Sequence, residues 1–181
     1  MKTSITLLLL VFLSVQAMAQ HSNQPERKGF MIGVSAGMGF ASITGDAPEL
    51  DNTSDINLPN LKLGWMVKPN LAVLITNPGA SYQIVGKDRS FDGIIPSLQY
   101  WTRPEWWVSG GFGLGMDGPA FYETGNTKLG PACQFSTGYE FYRKGRFTLD
   151  IQATLFAGSV ETDNGSREAV SLLTGIGFNF Y

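Results

Sequence analysis

Cysteine and histidine are almost missing from this sequence, whose 181 residues hold one of each, Cys133 and His21. A lone cysteine excludes an intramolecular disulfide. A lone histidine, set in the polar stretch from His21 to Lys28, excludes a Ser-His-Asp arrangement in the body of the chain and leaves little for a histidine metal site. Charge is scarce too: 15% of residues, with 13 basic against 15 acidic side chains. No basic face for nucleic acid is expected from that balance. The apolar stretch from Ile5 to Val15 falls short of the roughly 20 residues a membrane-crossing helix needs. It follows Met1-Lys2 and runs into Ala17-Met18-Ala19, the pattern of a secretory signal peptide cleaved after Ala19. With no cysteine beside that site, a lipid anchor is not expected.

Glycine is what the chain has in excess, at 22 residues. It alternates with large apolar residues instead of clustering. From Phe30 to Ala41, Phe30, Ile32, Val34, Ala36, Met38 and Phe40 share one parity, and glycine, serine and other small residues share the other. Successive strand side chains point to opposite faces, so this is a strand with one greasy and one small face. Trp106 to Asp117, Phe147 to Ala157 and Val170 to Phe180 repeat the pattern. Asn60 to Val67, Leu129 to Phe141 and Ile94 to Arg103 follow it less cleanly, with Pro96 implying a bulge or a missing hydrogen bond. Leu71 to Val85 is broken by Asn77-Pro78-Gly79.

Eight strands let an up-and-down sheet close. Lys68 to Asn70, Thr102 to Glu105 and Arg143 to Arg146 make tight connections, while Ser42 to Asn57, Gly86 to Asp92, Gly118 to Lys128 and Glu161 to Ala169 are longer and polar. Short turns at one end and long loops at the other mark a bacterial transmembrane barrel with periplasmic turns. Threading the strands brings Phe30, Trp65, Tyr100, Trp106, Tyr139, Phe141, Phe147, Phe178 and Phe180 to the short-turn end, as an aromatic girdle at a membrane interface. Phe40, Tyr82, Phe91 and Phe121 form a sparser ring opposite. A soluble barrel would bury the bulky set; here only the small polar set fits a narrow lumen. The expected fold is therefore all-β: an eight-stranded antiparallel up-and-down transmembrane β-barrel with short periplasmic turns and longer extracellular loops. Residues 1–19 form the signal peptide, 20–29 a periplasmic N-terminal segment, and 30–181 the barrel.

The chain ends in Gly175-Ile176-Gly177-Phe178-Asn179-Phe180-Tyr181. Over 30–181, in strand count, loop asymmetry, girdle and aromatic last strand, it resembles the small OmpA- and OmpX-type outer-membrane β-barrels. That resemblance implies the bacterial outer membrane as location, outer-membrane lipid as surroundings, and the barrel assembly machinery as partner during biogenesis. The alternation places Phe178 and Phe180 toward lipid, so Tyr181 lies one residue beyond the usual aromatic terminus. Some barrels of this kind are lipid A acyltransferases or deacylases that need a histidine base; with none inside the barrel, an enzyme is not expected.

Lumen-facing charge is the remaining candidate for chemistry. Glu140 and Asp150 fall opposite each other across the Arg143 to Arg146 turn, and two facing carboxylates repel unless cations sit close. Arg103 has inward parity at that level, Lys68 can reach it from a neighbouring turn, and Lys62 lies higher. The bland reading is a salt-bridged plug, the functional one a gate or proton-linked pair. The plug is favoured because side chains just fill an eight-stranded barrel. Cys133 sits on the lipid-facing parity, where a thiolate is disfavoured. Asp46, Glu49, Asp51 and Asp55 make an acidic loop without the EF-hand glycine or spacing, so no metal is assigned. Asn52-Thr53-Ser54 and Asn164-Gly165-Ser166 match a glycosylation pattern by chance. Gly111, Gly113 and Gly115 reflect lumen packing in a strand, not a phosphate loop, and no cofactor is expected.

Three functions follow from this: a non-enzymatic barrel acting structurally or through an extracellular ligand of its loops, a narrow pore or carrier for small or hydrophobic solutes with an open lumen or a lateral exit near Pro78 or Pro96, and a lipid-modifying enzyme. A dry salt-bridged lumen favours the first, a water path the second, and an apolar cavity of acyl-chain size the third.

Overall fold

A computed structural model describes residues 27–45, 50–51, 56–84, 87–120, 125–163 and 165–181. The signal-peptide stretch, His21, Phe121 and most of the acidic first loop lie outside these residues. The strands are β1 (Gly29–Gly45), β2 (Leu50–Asp51), β3 (Ile56–Lys68), β4 (Leu71–Asn77), β5 (Gly79–Ile84), β6 (Lys87–Trp101), β7 (Trp106–Pro119), β8 (Lys128–Lys144), β9 (Phe147–Thr162) and β10 (Gly165–Phe180). No helix occurs among the described residues.

The ladder closes on itself. β1 pairs with β3, β3 with β4, β4 and β5 with β6, and each later strand with the next, until β10 returns antiparallel to β1 from Ile32 opposite Phe180 to Gly45 opposite Arg167. β4 and β5 are two halves of one strand, and β2 is a short piece along β5, so the ring has eight strands. Closure leaves no long edge to aggregate.

The proline positions behave more mildly than their sequence suggests. Pro78 separates β4 from β5, yet both halves hold one register on β6, with Thr76 opposite Ile95 and Gly79 opposite Asp92. The carbonyl of Pro78 accepts from Gly93 N at 2.7 Å, and Asn77 Nδ2 donates to the Gly93 carbonyl at 2.8 Å. Side chains therefore keep alternating through the break. At Pro96 no bulge forms: the β6 and β7 pairing skips between Ile94 and Ser97 and resumes in the same register. A proline has no N–H to donate, so the pairing lapses locally.

Two expected loops are strands. β5 runs to Ile84 and β6 starts at Lys87; β9 runs to Thr162 and β10 starts at Gly165. The stretches Gly86 to Asp92 and Glu161 to Ala169 thus mostly extend the hairpins. Their outward side chains turn polar past the apolar belt, which hides the strand pattern from a hydrophobic reading.

The belt itself is external. Ile32, Leu63, Ile75, Leu98, Leu155 and Ile176 are all exposed, with Phe112 at 83% and Phe40 at 73%. On a closed barrel such a continuous apolar surface is the lipid-facing band. Tyr82 and Phe91, expected in an outer ring, instead lie fully buried in the lumen. In the extended β5 and β6 hairpin their parity is the inward one.

Candidate functional site: a lumen locked at both ends

The short-turn end is organised by Glu140. Its Oε1 accepts from Trp101 Nε1 at 2.7 Å and from the Tyr181 hydroxyl at 2.8 Å. Its Oε2 accepts from Arg27 Nη2 at 2.8 Å and lies 3.2 Å from Arg143 Nε. Arg27 stacks on the Trp101 ring, 4.6 Å from its centroid. It also donates to the Pro104 carbonyl at 2.6 Å, and Arg143 reaches the same carbonyl. The Thr102 to Glu105 turn is thereby pulled over the mouth, with Glu140 N donating to the Glu105 carbonyl at 2.8 Å.

Asp150 stands directly across from Glu140 in the ladder but uses different donors. Its Oδ2 accepts from Trp107 Nε1 at 3.1 Å and Asn179 Nδ2 at 2.9 Å. The two carboxylates are thus turned to separate partners, which relieves the repulsion that their facing positions imply. Lys62 crosses from β3 to β9, donating to Gln152 Oε1 at 2.7 Å while its ammonium sits 3.9 Å from the centroid of the Trp107 ring. A cation over an indole face in a desolvated site is worth about 2 kcal/mol or more.

Sequence parity placed Lys62, Glu140 and Asp150 inside, and all three are buried. Arg103 and Lys68 require correction. Both are exposed at the turns, because the Thr102 to Glu105 turn ends β6 at Trp101 and the β3 and β4 register shifts between Met66 and Lys68. Their place is taken by Arg27, expected in the periplasmic segment, and by Arg143. Tyr181 was also missed: it is fully buried, with its backbone N donating to Arg146 O at 2.9 Å. The inward parity of residues 177, 179 and 181 was available in the sequence; the inward fold of Arg27 was not.

Above this lock the lumen is polar and crosslinked. Thr76 and Ser97 hydroxyls lie 3.2 Å apart, Gln134 Nε2 donates to Ser97 Oγ at 3.3 Å, and Ser136 and Thr154 hydroxyls meet at 2.9 Å. Higher still, Ile43, Phe91, Ile95, Phe156 and Val160 form an apolar layer, with the Phe91 and Phe156 rings 5.9 Å apart.

A second ionic lock tops that layer. Asp117, fully buried, accepts from the Tyr82 hydroxyl at 2.5 Å and Arg89 Nε at 3.1 Å, and pairs with Arg167. These side chains come from β5, β6, β7 and β10, so they span the cross-section. None of them was singled out from sequence as part of a lock, since Arg89 and Arg167 fell within assumed loops.

The girdle residues lie on the outer face. Phe30, Trp65, Tyr100, Trp106, Phe178 and Phe180 are exposed; Tyr139, Phe141 and Phe147 are half-buried. Trp106 packs on Tyr139 at 5.2 Å between ring centroids, and Phe147 on Phe178 at 6.3 Å. A bulge after Glu140 brings Tyr142 opposite Leu149 and 6.4 Å from Phe147, a position that strict alternation would have given to Phe141. Cys133 lies half-buried on the lipid-facing wall.

No family model and no curated protein matches this sequence. Its fold, however, is shared with small outer-membrane barrels of known structure. Neisserial surface protein A superposes with a TM-score of 0.55 at 15% identity, covering 84% of this chain and 96% of that one. Ail, the attachment invasion locus protein of Yersinia pestis, superposes with a TM-score of 0.52 at 13% identity, over 84% of this chain and 99% of that one. The architecture read from the alternation, a transmembrane barrel of the small outer-membrane type, is therefore the architecture of this chain.

Proposed function

We propose that this chain is a closed, non-conducting and non-enzymatic barrel of the bacterial outer membrane. Its task is structural or interactive and is carried by the extracellular loops, not the lumen. The supporting observation is the double lock: Glu140 with Arg27, Trp101 and Tyr181 at one end, and Asp117 with Tyr82, Arg89 and Arg167 at the other. A rigid scaffold with a filled interior leaves loops as the adaptable surface, and loops are where binding residues concentrate. Outer-membrane lipid surrounds the belt, and the assembly machinery is the partner during insertion.

One observation favours a second reading, a narrow gated pore. Arg27 precedes β1, so its place in the lower lock rests on its side-chain contacts with Glu140, Pro104 and Trp101. Displacing it would uncover that end of the lumen while Trp101, Tyr181 and Arg143 keep Glu140 in place.

Conductance of the refolded protein in a planar bilayer tests both readings. The expected record shows no discrete steps for the wild type or for Arg27→Ala. Steady unitary steps in the wild type overturn the closed reading, and steps confined to Arg27→Ala make the N-terminal segment a gate. Heat-dependent gel mobility of the same sample verifies that the barrel is folded.

A further inference from the structure

The lipid-facing wall of β6 to β9 is not evenly covered. Reading outward positions rung by rung across the paired strands, one rung runs Leu98, Gly110, Phe135, Leu155; the next Pro96, Phe112, Cys133, Ala157. Gly110 contributes no side chain, and a Cβ added there would meet nothing closer than the Gln134 carbonyl at 3.6 Å and Phe135 Cδ2 at 3.9 Å. A groove of about 750 Å³ results, floored by Gly110 and walled by Leu98, Phe112 and Phe135. A second basin of about 350 Å³ shares Phe112, Cys133 and Ala157 with it and rises past Pro131 and Ser159 to Glu168. The two basins therefore join into one oblique trough.

We infer that this trough is a binding site for one acyl chain of an amine-headed glycerophospholipid. Three features of the wall select that occupant. First, length: from Gly110 to the level of Ser159 the trough crosses two strand spacings and four residues of rise, about 16 Å. That is close to half of the roughly 30 Å hydrocarbon core, the depth of one leaflet. Gly110 also lies four residues above the girdle residue Trp106 and four below Leu114 on β7, at mid-belt.

Second, chemistry changes along the trough. Its inner part is apolar, whereas its outer mouth carries the Ser159 hydroxyl and the exposed carboxylate of Glu168. A chain below and a cationic amine above match that order. Third, the trough lies inside an apolar belt that continues on both sides through Ile75 and Leu172, so hydrocarbon is the medium already against it. An acyl chain there would lie over the stretch where Pro96 interrupts pairing with β7.

The site rests on the membrane reading of the barrel, and the test separates the two. The protein is refolded into vesicles of phosphatidylcholine containing phosphatidylethanolamine with a diazirine on one acyl chain, irradiated, and mapped by peptide mass spectrometry. A heat-shifted band from those vesicles establishes insertion independently of labelling. Adducts are expected on Phe112, Cys133 and Phe135 several-fold above Val34 and Leu63 on the far wall, on β1 and β3. Gly110→Leu fills the floor, its Cβ in ordinary van der Waals contact with the wall, and is expected to lower groove labelling to the belt average; Ala36→Leu on the far wall leaves it unchanged. Labelling that is even around the belt, or unaffected by Gly110→Leu, overturns the site. Equal labelling from a phosphatidylglycerol analogue overturns the headgroup assignment, and Cys133 crosslinks between copies overturn it in favour of a second barrel.

Discussion

Replacing Glu140 by glutamine probes the lower lock with almost no change of volume. The carboxylate accepts on both oxygens, from Trp101 and Tyr181 on one and from Arg27 on the other, which also forms an ion pair with Arg143. An amide has one acceptor. If its oxygen keeps the indole and phenol, its NH₂ faces Arg27 and Arg143; Arg27 loses its counter-charge and Arg143 is left with Glu105 alone. If it flips, the NH₂ meets the indole N–H, which cannot accept. The first orientation wins, and it costs Arg27 a charge-assisted hydrogen bond worth about 1.5–3 kcal/mol and Arg143 one of its two ion pairs. Arg27 can recover part of this by swinging out to water, since it precedes β1, and Arg143, next to the end of β8, has its side chain 13% exposed. The net expectation is a loss of about 2–4 kcal/mol, below the 3–5 kcal/mol typical of a trapped buried charge.

Urea unfolding of the protein in vesicles, followed by tryptophan fluorescence, measures that loss as a shifted midpoint at unchanged slope. Arg27→Ala should cost less than Glu140→Gln, because Arg143, Trp101 and Tyr181 still hold the carboxylate. In the double variant the two effects should fall short of additive by about 0.5–3 kcal/mol, as for residues in one network. A Glu140→Gln loss under about 0.5 kcal/mol, the size of an ordinary surface change, would refute the reasoning.

Other perturbations reach different layers. Phe156→Ala removes a fully buried ring beside Phe91 and should destabilise by about 3–5 kcal/mol, read as an earlier loss of the heat-resistant gel band. Asp117→Asn strips the upper lock of its charge and leaves Arg167 and Arg89 facing a neutral group; unfolding in vesicles should show a loss of about 3 kcal/mol or more, and a neutral result means that the ion pairs do not hold that end. Gly37→Val tests the closing seam, where a Cβ would sit 1.9 Å from the Thr174 carbonyl oxygen; refolding yield should collapse, whereas Gly110→Leu, whose Cβ meets only ordinary van der Waals contacts, refolds normally.

How much of this could be read in the sequence depended on what a residue's neighbours were. Within the belt, lipid outside and packing inside force strict alternation, so the β1, β7, β9 and β10 strands and the buried placement of Lys62, Glu140 and Asp150 follow from parity. Beyond the belt the outside is water, both faces turn polar, and alternation fades; that is why the hairpin extensions carrying Arg89 and Arg167 read as loops. Turn geometry was opaque as well. Arg103 has inward parity only if β6 continues, but the ladder stops at Trp101, and Arg103 N donates to the Trp106 carbonyl at 3.4 Å within the turn. Arg27 was illegible for another reason, since its position depends on contacts with Glu140 and Pro104, 113 and 77 residues away in sequence.

The lumen's layering bears on why such a narrow barrel carries buried charge at all. Apolar filling of similar volume is often at least as stable as a buried ion pair, so stability alone does not account for Glu140 and Asp117. Each carboxylate collects donors from several strands: β6, β8 and the segments flanking β1 and β10 for Glu140; β5, β6 and β10 for Asp117. A one-residue slip of any of those strands would turn its donor to the lipid face, because strand side chains alternate with period two. The outer face offers no such discrimination, since lipid accepts every apolar side chain alike. Register in this barrel is therefore specified from within, by two polar locks set at opposite ends of the ladder, and a variant that loses both should still form β structure in vesicles but lose its single sharp heat-modifiable band.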